Sequence, residues 1–303
     1  MPTPPSPLRI SLVDMNNGVV NQATRCFRRI VDTFSKRVRA VNPGVEVTFK
    51  HLQPRNLGEI PDLDVDLVLS SGGPGAPHDG FDDAWGVGYR NFLDRIIEEN
   101  AARPEAAPKA LLVCHSFEIA VLHLKVAQMN QRPSTKFGVM PAYITEDGQH
   151  EDFLRPFGYR LFTWEHRNWE AIHIDEKRLA ELGGRVLARE AHRRSVVNRG
   201  KAILGIKFTN GVDGLQFHPE ADKPGVLAWI KKPEHAASVQ DVYGEVLYER
   251  MIASLENPER LARTFALCIP GWLVGRFNEL AADRGWHPLT QPDFDMQAFD
   301  VAV

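Results

Sequence analysis

Apolar and polar positions along this chain follow two rhythms. Leu8 to Met15, Val45 to Leu52, Val65 to Ser70 and Lys109 to Cys114 are short, near-continuous apolar runs and read as strands. Between them, Ala23 to Val38 and Tyr89 to Asn100 carry apolar residues at helical spacing. Strands that are apolar on both faces need cover on both sides. The alternation therefore predicts an α/β fold with a largely parallel central sheet flanked by helices on both faces. Farther on, the runs near Phe137 to Ile144, Arg160 to Ile172, Arg185 to Arg189 and Ala202 to Phe208 are shorter and more polar, as expected of antiparallel strands returning to the sheet edge. Val239 to Glu256 and Pro258 to Ala266 return to helical spacing, with Pro258 in a first-turn position after Asn257 as a cap.

In such a sheet ligands bind beyond the carboxyl ends of the strands, and three strand ends there carry unusual chemistry. Lys109-Ala110-Leu111-Leu112-Val113 ends in Cys114, and Gly214-Leu215-Gln216-Phe217 runs into His218-Pro219-Glu220. A cysteine after an apolar strand is ordinarily a buried packing residue. Beside a histidine base oriented by a carboxylate, it becomes a nucleophile. The third end, Leu67-Val68-Leu69-Ser70-Ser71-Gly72-Gly73-Pro74-Gly75, breaks into small residues whose backbone can turn sharply and approach a ligand. An N–H from this turn and the N–H of His115 could together hold a developing oxyanion.

The three segments, Ser71-Gly72-Gly73-Pro74, Val113-Cys114-His115-Ser116-Phe117-Glu118 and Gly214-Leu215-Gln216-Phe217-His218-Pro219-Glu220, stand in the order seen in class I, triad-type glutamine amidotransferases. The chain resembles that family over roughly residues 8 to 232. The resemblance implies a flavodoxin-like three-layer sandwich, with Cys114 as nucleophile, His218 as base and later acid, Glu220 as its orienter, and Gly73 and His115 as oxyanion donors. It also implies substrate contacts at Gly72 and at Glu118, where the family usually has Gln, and a glutamine-like substrate. Leu112 and Ser116 replace the glycines that the family usually carries two residues to either side of the cysteine, which implies a slightly altered turn.

A second resemblance, to homoserine O-acyltransferases, rests on Thr135-Lys136-Phe137-Gly138-Val139-Met140, the missing first elbow glycine and Trp164-Glu165-His166-Arg167-Asn168-Trp169. It implies acyl transfer from acyl-CoA to an amino-acid hydroxyl, with Lys136, His166 and Arg167 against the substrate. A third reading, a non-catalytic binding or regulatory module on the same fold, is disfavoured by the intact triad.

Composition narrows the rest. At 303 residues, 43% hydrophobic and 25% charged, the chain is ordinary for a globular enzyme, and a net charge of -3 gives no reason to expect nucleic acid. Three cysteines, Cys26, Cys114 and Cys268, make no even disulfide framework, and no Cys/His spacing suggests zinc. No metal or cofactor is expected, and neither is a membrane span. Residues 1–7, proline-rich and without signal character, read as a disordered lead-in, so a cytoplasmic location is expected. The amidotransferase-like domain is expected over 8–232 and a helical extension over 233–303. There Val242, Val246, Leu247, Met251, Ile252 and Leu255 are expected to pack on the core, and Trp272, Phe277 and Trp286 to join that packing or a dimer contact. No Gly-x-x-x-x-Gly-Lys-Ser/Thr loop occurs, so a synthetase or ligase that uses released ammonia is expected to act in trans.

Overall fold

The computed structural model describes residues 6–190 and 202–294. Residues 1–5, most of the expected lead-in, and the Val242 side chain lie outside the described set. The strands are β1 (Leu8–Val13), β2 (Val47–Leu52), β3 (Leu67–Ser70), β4 (Lys109–Val113), β5 (Gln128–Ile144), β6 (Arg160–Ile172), β7 (Arg185–Arg189), β8 (Ile203–Thr209) and β9 (Val212–Leu215). The helices are α1 (Gln22–Val41), α2 (Pro54–Leu57), α3 (Ala84–Ala102), α4 (His115–Leu124), α5 (Glu146–Gln149), α6 (Glu176–Glu181), α7 (Lys223–Ile230), α8 (Pro233–Tyr243), α9 (Glu245–Ser254) and α10 (Leu261–Arg284).

All nine strands join one sheet in the order β2-β1-β3-β4-β9-β8-β6-β5-β7. Pairing is parallel from β2 through β1, β3 and β4 to β9. From β9 onward every pair is antiparallel. The sheet is thus mixed, which corrects the expectation of a largely parallel one. The long β5–β6 ribbon accounts for much of the difference: β5 begins at Gln128, well before the apolar run at Phe137 that marked it in the sequence. Its first half is polar and partly exposed, so hydrophobic pattern did not reveal it.

Strand alternation divides the core. Leu8, Ile10, Leu12, Leu111, Val113 and Leu215 face α1 and α10 in one cluster. Val68, Ala110 and Leu112 face α3 and α4 in the other. Helices therefore cover both faces of the sheet. The C-terminal helix α10 belongs to the first cluster through Phe265, Cys268, Trp272, Leu273 and Phe277. It runs on to Arg284 through Pro270, far beyond the helical pattern ending at Ala266, because buried contacts outweigh the local cost of a proline. Trp272 donates its indole N–H to buried Asp213 of β9 at 2.8 Å, and Arg276 reaches the same oxygen at 2.9 Å. Trp272, Phe277 and Trp286 are all buried in this packing, and Phe277 stacks on Trp286.

A third cluster joins Phe137 and Trp164 of the ribbon to Val226, Ile230, Val239, Met251 and Leu255. Met251 and Leu255 are buried and Ile252 packs beside them, as expected. Val246 and Leu247 are not: they stand 64% and 47% exposed on the outer face of α9. Among the described residues no helix is long and apolar enough to cross a membrane.

Candidate active site

The segment expected to form a nucleophile elbow lies where β4 passes into α4. Cys114 holds φ +50° and ψ −106°, a backbone conformation that a non-glycine residue adopts only under constraint. That constraint is visible. The Cys114 N–H donates to the Leu215 carbonyl at 2.8 Å, and the Cys114 carbonyl accepts from the Glu118 N–H at 2.9 Å. Ser116, where a glycine was expected, supplies a third tie: its hydroxyl donates to the Ser71 carbonyl at 2.7 Å and meets the Ser70 hydroxyl at 2.8 Å. Ser70 in turn meets the buried Tyr89 hydroxyl at 2.8 Å. These hydroxyls bind the elbow to the neighbouring glycine turn, a role for Ser70 and Tyr89 that no motif signalled. Leu112 stays in regular strand pairing beside Gly214, its side chain in the second core cluster, so it occupies no space at the turn.

His218 follows β9 and is fastened to β6 by its N–H on the Trp164 carbonyl at 3.0 Å. Its Nδ1 lies 2.9 Å from Glu220 Oε1, which leaves Nε2 as the ring nitrogen free to serve the thiol. Glu220 is 1% exposed. Gly72 lies against both partners: a Cβ there would stand 2.9 Å from the His218 ring and 3.1 Å from the Cys114 Cβ. Any side chain at Gly72 would push the thiol and imidazole apart. Gly73 is equally committed, since its Cβ would overlap the Met15 carbonyl.

Charge in this cluster is coupled. Burial pushes the Cys114 thiol up, and the adjacent His218 opposes that rise. Burial on its own would lower the His218 pKa, yet Cys114 and Glu220 together hold it well above the ordinary histidine value. A proton leaving the thiol therefore has a strong acceptor in contact with it. The two groups titrate as a pair.

The remaining expected site residues separate. His115 is fully buried, begins α4, and lies 3.7 Å from Glu118. Glu118 is also buried and accepts from the Gln216 amide at 2.9 Å, so its carboxylate is engaged within the protein. Lys136 and Arg167 are register partners across β5 and β6, one position along from the Phe137 and His166 pair. Strand alternation places them on the opposite face from Phe137 and His166. There Lys136 pairs with Glu190, and Arg167 pairs with Glu165 at 2.7 Å and Glu190 at 3.4 Å. Both cations are thus paired internally, on the face away from His166. His166 does lie on the same side as His218: desolvation by the rings packed around it, with His218 and His235 nearby, lowers its pKa to about 4.

A further tie joins the triad segment to α1. Arg25 reaches Asp222 Oδ1 at 2.5 Å, and the same oxygen caps α7 by accepting from the Gly225 N–H at 2.8 Å. These partners are far apart in sequence, and neither Arg25 nor Asp222 stood in a motif. A cavity of about 850 Å³ lies along α1, away from Cys114 and His218, where Arg25, Arg28, Arg29 and Lys36 line it. A smaller hollow of about 80 Å³ adjoins His218 and Glu220. Among the described residues no group of three or more His, Cys, Asp or Glu side chains is placed to hold a metal ion.

No protein-family description matches this sequence, and no curated protein does. Solved structures do. A glutamine amidotransferase from Thermotoga maritima superposes with a TM-score of 0.54 at 13% identity, over 91% of this chain and 97% of its own. A glutamine amido transferase from Methylobacillus flagellatus gives 0.53 at 12% identity, over 95% of this chain and 99% of its own. The chain has the fold of these glutamine amidotransferases.

Proposed function

We propose that this protein is a cysteine-nucleophile amidase of the glutamine amidotransferase type, which cleaves a side-chain amide through a thioester. The observation that carries this reading is the convergence of Cys114, His218 and Glu220 at the ends of two adjacent strands, with His218 Nδ1 2.9 Å from Glu220 Oε1 and the His218 ring and Cys114 side chain both against Gly72. His218 takes the thiol proton as Cys114 Sγ attacks the amide carbon, then delivers it to the departing nitrogen. Glu220 fixes the tautomer that leaves Nε2 facing sulfur and stabilises the imidazolium. The backbone N–H groups of Gly73 and His115 serve the oxyanion, and Gly72 leaves the room that the tetrahedral carbon needs. Water then releases the acid, glutamate when the substrate is glutamine. Ammonia formed in that case passes to an acceptor enzyme in trans.

Purified protein supplied with glutamine should form glutamate, and Cys114→Ala should lose that turnover by several orders of magnitude while keeping its melting temperature. Retained glutaminase activity in folded Cys114→Ala would overturn the assignment. Glu220→Gln should be milder, since the histidine keeps its hydrogen-bond partner.

A further inference from the structure

Beside His218 the site is walled by rings. Alternation along β6 sends Trp164 and His166 to the triad side, and Phe137 lies across from His166 on β5. The Phe137 ring is 4.6 Å from Trp164 and 5.5 Å from His166, both edge-on. Helix α7 adds Trp229, 4.9 Å from both Phe137 and His166. Helix α8 adds His235, stacked on Trp229 at 3.7 Å and 14°. Three of these rings meet solvent: His166 is exposed and Trp229 and His235 are half-buried, whereas Trp164 is 7% exposed. Trp164 and Trp229 also line the hollow of about 80 Å³ that His218 and Glu220 share.

Position relative to His218 assigns this wall a part in the reaction. In thiol-imidazole cleavage of an amide, the imidazole hands its proton to the leaving nitrogen, so whatever that nitrogen carries lies on the imidazole's side. A primary amide presents only hydrogens there and gains nothing from the rings. We infer that the preferred substrate is a secondary amide whose nitrogen carries a planar aromatic group, a γ-glutamyl arylalkylamide or arylamide, seated against His166 and Trp229.

This inference rests on Cys114 acting as the nucleophile. Sulfur forms a bond to the carbonyl carbon, the carbon–nitrogen bond breaks, and the thiol proton moves through His218 to the amine. Water then cleaves the thioester, so that amide plus water gives glutamate plus an aromatic amine, with no oxidant or reductant needed.

The test compares γ-L-glutamyl-benzylamide, γ-L-glutamyl-cyclohexylmethylamide and γ-L-glutamyl-methylamide, with glutamine as the primary amide, on the full chain. Wild type should favour the benzylamide over the methylamide by about tenfold in kcat/KM, with the cyclohexyl compound between them. Trp229→Ala should bring that ratio close to one, and Trp229→Phe should keep most of it, both in protein shown to be folded by circular dichroism. His166→Ala should lower the ratio in the same direction. A wild-type ratio of one or less, a benzylamide no better than the cyclohexyl compound, or a ratio untouched in folded Trp229→Ala would overturn the aromatic assignment and leave the cysteine mechanism standing. Failure of every one of the four amides to place a glutamyl group on Cys114 would overturn both.

Discussion

Cys114 and His218 each carry a cost of burial that the other offsets, with Glu220 adding to the support of the imidazole. A buried thiol resists ionisation and a buried imidazole resists protonation, yet in contact each favours the charged form of its neighbour. Alkylation of Cys114 by iodoacetamide, followed by peptide mass spectrometry, should therefore rise with pH as the pair loses its shared proton. In His218→Ala that rise should move to higher pH, because burial then acts on the thiol unopposed. An unmoved profile would show that the imidazole does not influence the sulfur. Cys26 and Cys268 serve as internal controls: burial pushes the Cys26 thiol up to about 12 and Cys268 higher still, so both should label slowly. Ser116 is the other residue where a local difference matters. Ser116→Ala removes a donor from the Ser71 carbonyl and a partner from Ser70, all buried. Denaturant unfolding should show a loss of about 1 to 3 kcal/mol. The triad residues and the glycine turn were legible because each chemistry needs a particular residue type at a strand end. Ser70 and Tyr89 were not, since a hydroxyl on an apolar strand or helix carries no periodic signature.

At the level of elements, α1, α3 and the parallel strands announce themselves by period, because each buries a continuous stripe or both faces. The β5–β6 ribbon and α10 do not. The ribbon's outer half is polar, and α10 is apolar over much of its circumference and interrupted by Pro270 and Gly271, so neither shows the expected rhythm. What holds α10 is tertiary: Asp213 at its centre, with Trp272 and Arg276. Asp213→Ala would leave the Arg276 guanidinium buried without its main counter-charge. A destabilisation of about 3 to 5 kcal/mol is expected in denaturant unfolding, against a surface control such as Glu249→Ala with almost none. Lys136 and Arg167 pair internally with acidic residues, whereas Phe137 and His166, one position along, face the other way because adjacent strand residues alternate.

Across the whole molecule, the parallel half of the sheet supplies Cys114 and the glycine turn, and the antiparallel half supplies the ring wall. His218 sits at their junction, following β9 and bridged to Trp164 of β6. Buried charge also braces the antiparallel half, where Glu151 accepts from Arg185 of β7 and Lys207 of β8. Burial would raise the Glu151 carboxyl, but Arg185 and Lys207 hold it below the ordinary glutamate range. A carboxyl lowered in the folded state contributes stability above its unfolded value and loses it as pH falls through the folded one. Asp222, lowered by Arg25 against the pull of burial, behaves likewise. Melting temperature should therefore fall as pH drops through and below the carboxylate range, and Glu151→Gln should flatten that fall. An acid profile identical in the variant would remove Glu151 from this account.

The claim on which the rest depends is that Cys114 becomes acylated. Protein mixed with glutamine or the γ-glutamyl amides, quenched in acid and mapped by peptide mass spectrometry, tests it directly. One glutamyl group on Cys114, absent from His218→Ala, is the predicted result. Consumption of the amide with Cys114 never modified, or with modification at another side chain, would contradict it.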